Sequence, residues 1–193
     1  MGAMRMFIAL PLPEVVNEHL AEYLEPRQEA GPELRWTAPE QWRLTLAFLP
    51  EVADRNMDEL HERLARATSR RRPMWLRLAG AGAFPNAAQA KVLWTGVEHD
   101  GEELMRLAGG VRAAGAKSGI EVGGGRYHPH LTVARLSQAS DVTRWLRALD
   151  PYVGPSWQAG EVELIASYLG QGRGGRSRHE VREIFPLGPP SMG

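Results

Sequence analysis

A chain of 193 residues is long enough for one sizeable core, or for two small lobes that share an interface. Its formal net charge is zero, so no global field recruits long nucleic acid and any such contact is expected to be local. The absence of cysteine excludes disulfides, thiolate metal sites and a cysteine nucleophile, and no apolar run approaches the ~20 residues that cross a bilayer.

Met1-Gly2-Ala3-Met4 lacks the long apolar segment of a signal peptide; residues 1–3 read as an expression scar and residues 4–188 as one bilobed unit, with 189–193 a tail. Residues 5–10 alternate loosely as a strand that Pro11 and Pro13 end. Residues 14–25 follow as a helix with Val16, Leu20, Tyr23 and Leu24 on one stripe. Pro32 and Pro39 bracket a loop holding Arg35 and Trp36. A strand over 42–49 runs to Pro50, and Asp54 can cap a helix marked by Met57, Leu60, Leu64 and Ala67. Arg70-Arg71-Arg72 closes that helix where its dipole favours positive charge. Strands are expected at 74–78 and 91–97, separated by a Gly/Ala-rich turn containing Phe84-Pro85-Asn86. Leu104, Leu107, Val111 and Ala114 mark a third helix, and Gly123-Gly124-Gly125 allows a sharp entry to the strand after Pro129. Ser140 or Asp141 can start a fourth helix using Val142, Trp145, Leu146 and Leu149. A strand at 161–169, a glycine- and arginine-rich turn at 170–178 and a strand at 181–185 complete the order, before Pro189 and Pro190.

Two of these strands share a design. In the first, Trp42, Leu44, Leu46 and Phe48 take one face while Arg43 and Thr45 take the other. In the second, Leu131 and Val133 oppose His130 and Thr132. Nearly half a chain length separates them, and each leads into a helix. The expected fold is therefore α+β: a bilobed, pseudo-duplicated arrangement of two antiparallel sheets lining a central cleft, with helices outside.

A histidine whose ordinary pKa is ~6.5 exchanges a proton near neutral pH, and a threonine beside it can donate to a charged oxygen. Two such strands facing each other can flank one phosphate with proton-transfer groups and hydroxyls, which is what in-line hydrolysis of a phosphodiester requires. A single His-x-Thr is more often a structural pair; the second related strand gives it meaning.

Across nearly its whole length the chain resembles the bacterial and archaeal RNA 2′,3′-cyclic phosphodiesterases, also called 2′-5′ RNA ligases, of the two-histidine phosphoesterase superfamily. The likeness lies in Met6-Phe7-Ile8-Ala9-Leu10, Arg35-Trp36, Leu44-Thr45-Leu46-Ala47-Phe48-Leu49, Gly82-Ala83-Phe84-Pro85-Asn86 and Val92-Leu93-Trp94. It continues in His128-Pro129-His130-Leu131-Thr132-Val133-Ala134-Arg135 and Phe185-Pro186-Leu187. The resemblance implies hydrolysis of RNA-terminal 2′,3′-cyclic phosphate to a 2′-phosphate without metal or other cofactor, one histidine acting as acid and the other as base. It makes His130 and Thr132 the second signature motif and sets Arg43 and Thr45 in the first, where the family carries histidine. Arginine stays protonated and cannot serve as base, so turnover is expected to be slowed, while its fork can clamp phosphate.

His128, two residues before His130 on the same face, can cover the missing step or simply occupy a strand entrance. Arg173, Arg176 and Arg178 can close over an RNA end or form a solvated tip. Phe84, Trp36 and Trp42 can stack a terminal base, with Trp42 more at home in the core. Arg135 supports the site from its strand end or forms a surface ion pair, and His19, His61, His99 and His179 read as surface residues. Expected partners are RNA ends or small cyclic nucleotides for a cytoplasmic monomer with no membrane contact. The competing reading is non-catalytic binding of phosphorylated nucleotides or RNA ends in the same cleft.

Overall fold

The computed structural model of the protein describes residues 2–189. In chain order the elements are β1 (Ala3–Pro11), α1 (Glu14–Ala30), β2 (Arg35–Trp36), β3 (Arg43–Ala53), α2 (Met57–Ser69), β4 (Met74–Phe84) and β5 (Ala90–His99). They continue with α3 (Glu103–Lys117), β6 (His130–Ser140), α4 (Thr143–Leu149), β7 (Val153–Ala159), β8 (Glu161–Tyr168) and β9 (Arg178–Pro186). One antiparallel sheet has the order β3-β1-β8-β9 and the other β2-β6-β5-β4-β7. Helices α2 and α3 pack together over the first sheet, and α1 and α4 cover the second. This is the α+β, two-sheet architecture expected from the sequence, with one signature strand in each sheet.

The periodicities explain the layers. Met6, Ile8 and Leu10 of β1 and Leu44 and Leu49 of β3 turn inward to meet Leu60 and Leu64 of α2 and Leu104, Leu107 and Val111 of α3, all essentially fully buried. Each such side chain contributes about 1.5–3 kcal/mol relative to exposure, enough for the helices to hold their sheet from one side only. The opposite faces of the two sheets are left to line the space between them.

Several boundaries differ from the sequence reading. Arg35–Trp36, expected in a loop, is a short strand paired with Ala134 and Arg135. Pro50 does not stop β3, because the strand runs along the sheet edge, where a missing N–H is tolerated. Helix α1 likewise passes through Pro26 to Ala30. The Gly/Ala stretch taken for a turn is mostly strand: β4 reaches Phe84 because Gly82 leaves room for the Trp94 ring, which an added Cβ would meet at 2.1 Å. Ser140 ends β6 rather than starting α4, and the Asp141 carboxylate accepts the Thr143 N–H at 2.8 Å. Strand β7 was not anticipated, and β9 begins three residues early, at Arg178. Strand β1 begins at Ala3, inside the segment set aside as a scar, and Pro190 lies outside the described residues.

Candidate active site

Arg43 and Thr45 on β3, and His130 and Thr132 on β6, line one cleft of about 1210 Å³ between the sheets. Among the described residues seven arginines line it and no aspartate or glutamate does, in a chain whose formal charge is zero. Positive charge is therefore concentrated where a phosphate can be held.

A hydrogen-bonded relay joins the two signature strands. Trp42, buried beside Arg43, donates its Nε1–H to Thr37 Oγ1 at 2.8 Å, and that hydroxyl donates to the Thr132 carbonyl at 3.0 Å. The Thr37 N–H also reaches the Val133 carbonyl at 2.9 Å. Thr37 thus ties the residue beside Arg43 to the β6 backbone at Thr132 and Val133.

His130 sits at the entrance of β6 with its Nδ1 2.6 Å from the His128 carbonyl oxygen. Only a protonated Nδ1 satisfies that contact, so Nε2 carries the free lone pair in the neutral ring. Burial holds the His130 pKa below the ordinary histidine value, overcoming the carbonyl contact that favours the cation; the charges of His128 and Arg135 push in the same direction as burial. Phe84 meets the ring edge-on at 4.9 Å between centroids. Trp94 lies 5.9 Å from it and 4.9 Å from His128, while His128 itself is exposed. Phe84, Trp94 and the two imidazoles form one aromatic cluster that fixes the His130 ring, with Phe84 also lining the cleft.

Arg43 is not free to present its whole fork. Its Nε donates to Glu163 Oε1 at 3.2 Å and its Nη1 to the Glu40 carbonyl at 3.4 Å. Glu163 lies on β8, opposite Ala9 and level with Thr45, and is only 8 % exposed. The bidentate clamp expected from sequence is therefore partly occupied by the protein itself, and Glu163 was invisible to motif reading because it belongs to a distant strand.

Arg135 makes no ion pair among the described residues; it lines the cleft, and its pKa is lowered by burial and by Arg35 and Arg5. Those two arginines also line the cleft, although the sequence reading gave neither a site role there. Arg5 rests over the Phe48 ring at 4.6 Å. In the glycine-rich turn, Arg176 lines the cleft and donates to the Trp36 carbonyl at 3.4 Å, and Gln41 donates to the Ser177 carbonyl at 2.7 Å. Arg178 instead covers the Tyr168 ring at 4.2 Å, and Arg173 stays off the cleft wall. His179, taken for a surface residue, lines the cleft because β9 starts earlier than expected. Among the described residues no group of three or more His, Cys, Asp or Glu side chains is placed to hold a metal ion.

The sequence-family model of the 2′-5′ RNA ligase superfamily matches residues 44–171. The chain is 31% identical over 145 residues to the RNA 2′,3′-cyclic phosphodiesterase of Archaeoglobus fulgidus, covering 73% of this chain and 80% of that one. It is 30% identical over 173 residues to the Escherichia coli enzyme of the same name, covering 88% and 90%. The crystal structure of apo E. coli LigT superposes with a TM-score of 0.78 at 26% identity, over 97% of this chain and 99% of that one. The same protein complexed with 3′-AMP gives a TM-score of 0.77 at 26% identity, over 96% and 98%. With a family model that matches more than half of the chain and a relative 31% identical over 73% of it, the chain belongs to the 2′-5′ RNA ligase superfamily.

Proposed function

We propose that the protein hydrolyses the 2′,3′-cyclic phosphate at RNA ends, or on small cyclic nucleotides, to a 2′-phosphate. The observation that carries this reading is the convergence of Arg43, Thr45, His130 and Thr132 on one arginine-rich cleft without a lining carboxylate. The names of the relatives and the E. coli protein's complex with 3′-AMP support the same substrate class.

In this reading a water oxygen attacks phosphorus and the P–O3′ bond breaks. Thr45, Thr132 and the unengaged N–H groups of Arg43 hold the non-bridging oxygens, and Arg135 balances the charge that develops on them. No metal step is needed, because these donors supply the positive field. His130 Nε2 is the atom through which a proton passes, its ring held by the His128 carbonyl and Phe84. Phe84, on the cleft wall, is the aromatic ring against which the terminal base stacks. With Arg43 unable to exchange a proton, turnover through His130 alone is slow.

The test is incubation of the protein with adenosine 2′,3′-cyclic phosphate, with the product resolved as 2′- or 3′-phosphate. Release of the 2′-phosphate is expected, and His130→Ala should abolish it while nucleotide binding survives. Micromolar binding with no turnover over hours would favour a receptor for phosphorylated ends instead.

A further inference from the structure

Opening a cyclic phosphodiester moves two protons, one off water and one onto the leaving oxygen, and His130 accounts for one of them. The cleft holds another imidazole in the opposite sheet. His179 stands on β9, half-buried, with its ring edge-on to Phe7 at 4.9 Å between centroids. Its Nδ1 is buried without a hydrogen-bond partner among the described residues, and the residue lines the cleft, so Nε2 is the nitrogen through which the ring can meet a ligand.

His179 and His130 line the same cleft from opposite sheets, and Arg5, Arg43 and Arg135 line it with them. An anion held by these arginines enters the space that both imidazoles line. Around His179 the charged groups are Arg5 of β1 and Arg43 of β3, with the Glu163 carboxylate engaged by Arg43.

We propose that His179 is the second proton-transfer residue of the cleft and acts as the general base, supplying from β9 the function that Arg43 cannot supply from β3. The inference rests on the hydrolase reading above. His179 Nε2 takes a proton from water as the water oxygen bonds to phosphorus. The P–O3′ bond breaks, its electron pair goes to O3′, and O3′ takes the proton from His130 Nε2. The product carries a 2′-phosphate and a free 3′-hydroxyl; His179 then returns its proton to solvent and His130 regains one, so a single water is consumed. The two roles follow from the surroundings. Burial first, and then the charges of Arg43 and Arg5, favour the neutral form of His179, whereas His130 has the His128 carbonyl at Nδ1 to support its charged form.

The experiment compares the unmodified protein, His179→Gln and His130→Gln on adenosine 2′,3′-cyclic phosphate from pH 4.5 to 8.5. The expected result is a fall in kcat of about 10²-fold or more for His179→Gln with KM little changed, and loss of the acid limb of its profile. His130→Gln loses the alkaline limb, and a 4-nitrophenyl phosphodiester, whose leaving group departs without a proton, restores its rate but not that of His179→Gln. A His179→Gln variant within about threefold of the unmodified kcat, with both limbs intact, overturns the proposal. A second measurement needs no variant: ¹⁵N NMR of the unmodified protein should show the His179 pKa rising when adenosine 2′-phosphate binds. No change at His179 while His130 responds also overturns it. Failure of the hydrolase reading looks different, because the unmodified protein itself then releases no 2′-phosphate; in that case the His179 resonance alone decides whether this imidazole meets the bound phosphate.

Discussion

Replacing Arg43 by histidine should raise kcat less than tenfold in the native background, and by about 10²-fold or more in a His179→Gln background. The difference comes from what each background already supplies. Proton transfer by a positioned side chain contributes about 10²–10⁴ in rate, or roughly 3–5 kcal/mol of barrier, and that contribution can be added only where it is missing. The substitution is sterically suitable. Imidazole Nε2 is as many bonds from Cα as the arginine Nε, so it can take the position 3.2 Å from Glu163 Oε1 and keep that buried carboxylate partnered, which leaves Nδ1 to exchange a proton in the cleft. Alanine would be a poorer probe, because stranding Glu163 costs about 3–5 kcal/mol and mixes unfolding with catalysis. The assay is steady-state release of adenosine 2′-phosphate by the four proteins of the cycle, with urea denaturation to verify that each is folded. A gain of 10²-fold in the native background would refute the reasoning, since the second transfer would then be uncovered in the natural protein. A gain in neither background would mean that residue 43 does not face the reacting phosphate.

Three further outcomes follow from the same geometry. His130→Gln should lower kcat by about 10²–10⁴-fold while the Kd for adenosine 2′-phosphate, read by calorimetry, stays within about threefold. Thr37→Val leaves the buried Trp42 Nε1–H without its acceptor and should cost about 1–3 kcal/mol in urea denaturation, with a fall in kcat as the two signature strands lose their bonded link. The stability of the protein should also depend on its two half-buried cleft histidines. Both His130 and His179 have pKa values lowered on folding, so the unfolded chain binds more protons and stability rises with pH up to the unfolded value of ~6.5. This contribution is complete above that value and lost as pH falls through the folded values. Denaturation across pH 4.5–7.5 should show a shallower acid decline for the double variant His130→Gln/His179→Gln than for the unmodified protein, and parallel declines would contradict the burial of these rings.

Strict two-residue alternation predicted the sheets and the two signature strands, yet it misassigned or missed several cleft residues, and the reason is a pair of bulges. On β3 the pairing with β1 jumps from Ala47 to Thr45, so Leu46 is an extra residue; on β6 the pairing with β5 jumps from Ala134 to Thr132, so Val133 is extra. Each bulge shifts the face of everything beyond it. Phe48, read as a core residue from the pattern of Trp42, Leu44 and Leu46, consequently faces the cleft, and Arg135 joins it from the other wall. Both stand three positions after the signature threonine of their own strand, so the duplication extends to the irregularity itself. A bulge leaves little trace in composition, because Leu46 and Val133 are as apolar as their neighbours. His179 escaped for a related reason: Arg178, His179 and Glu180 look like the end of a solvated turn, and only pairing of Ser167 with His179 draws them into β9. Residues whose role is set by their own strand, such as Thr45, His130 and Thr132, were legible in the motif. Those whose place is set by register against a neighbour, namely Phe48, Glu163 and His179, were not, and the residue proposed to stand in for the first motif histidine is one of them.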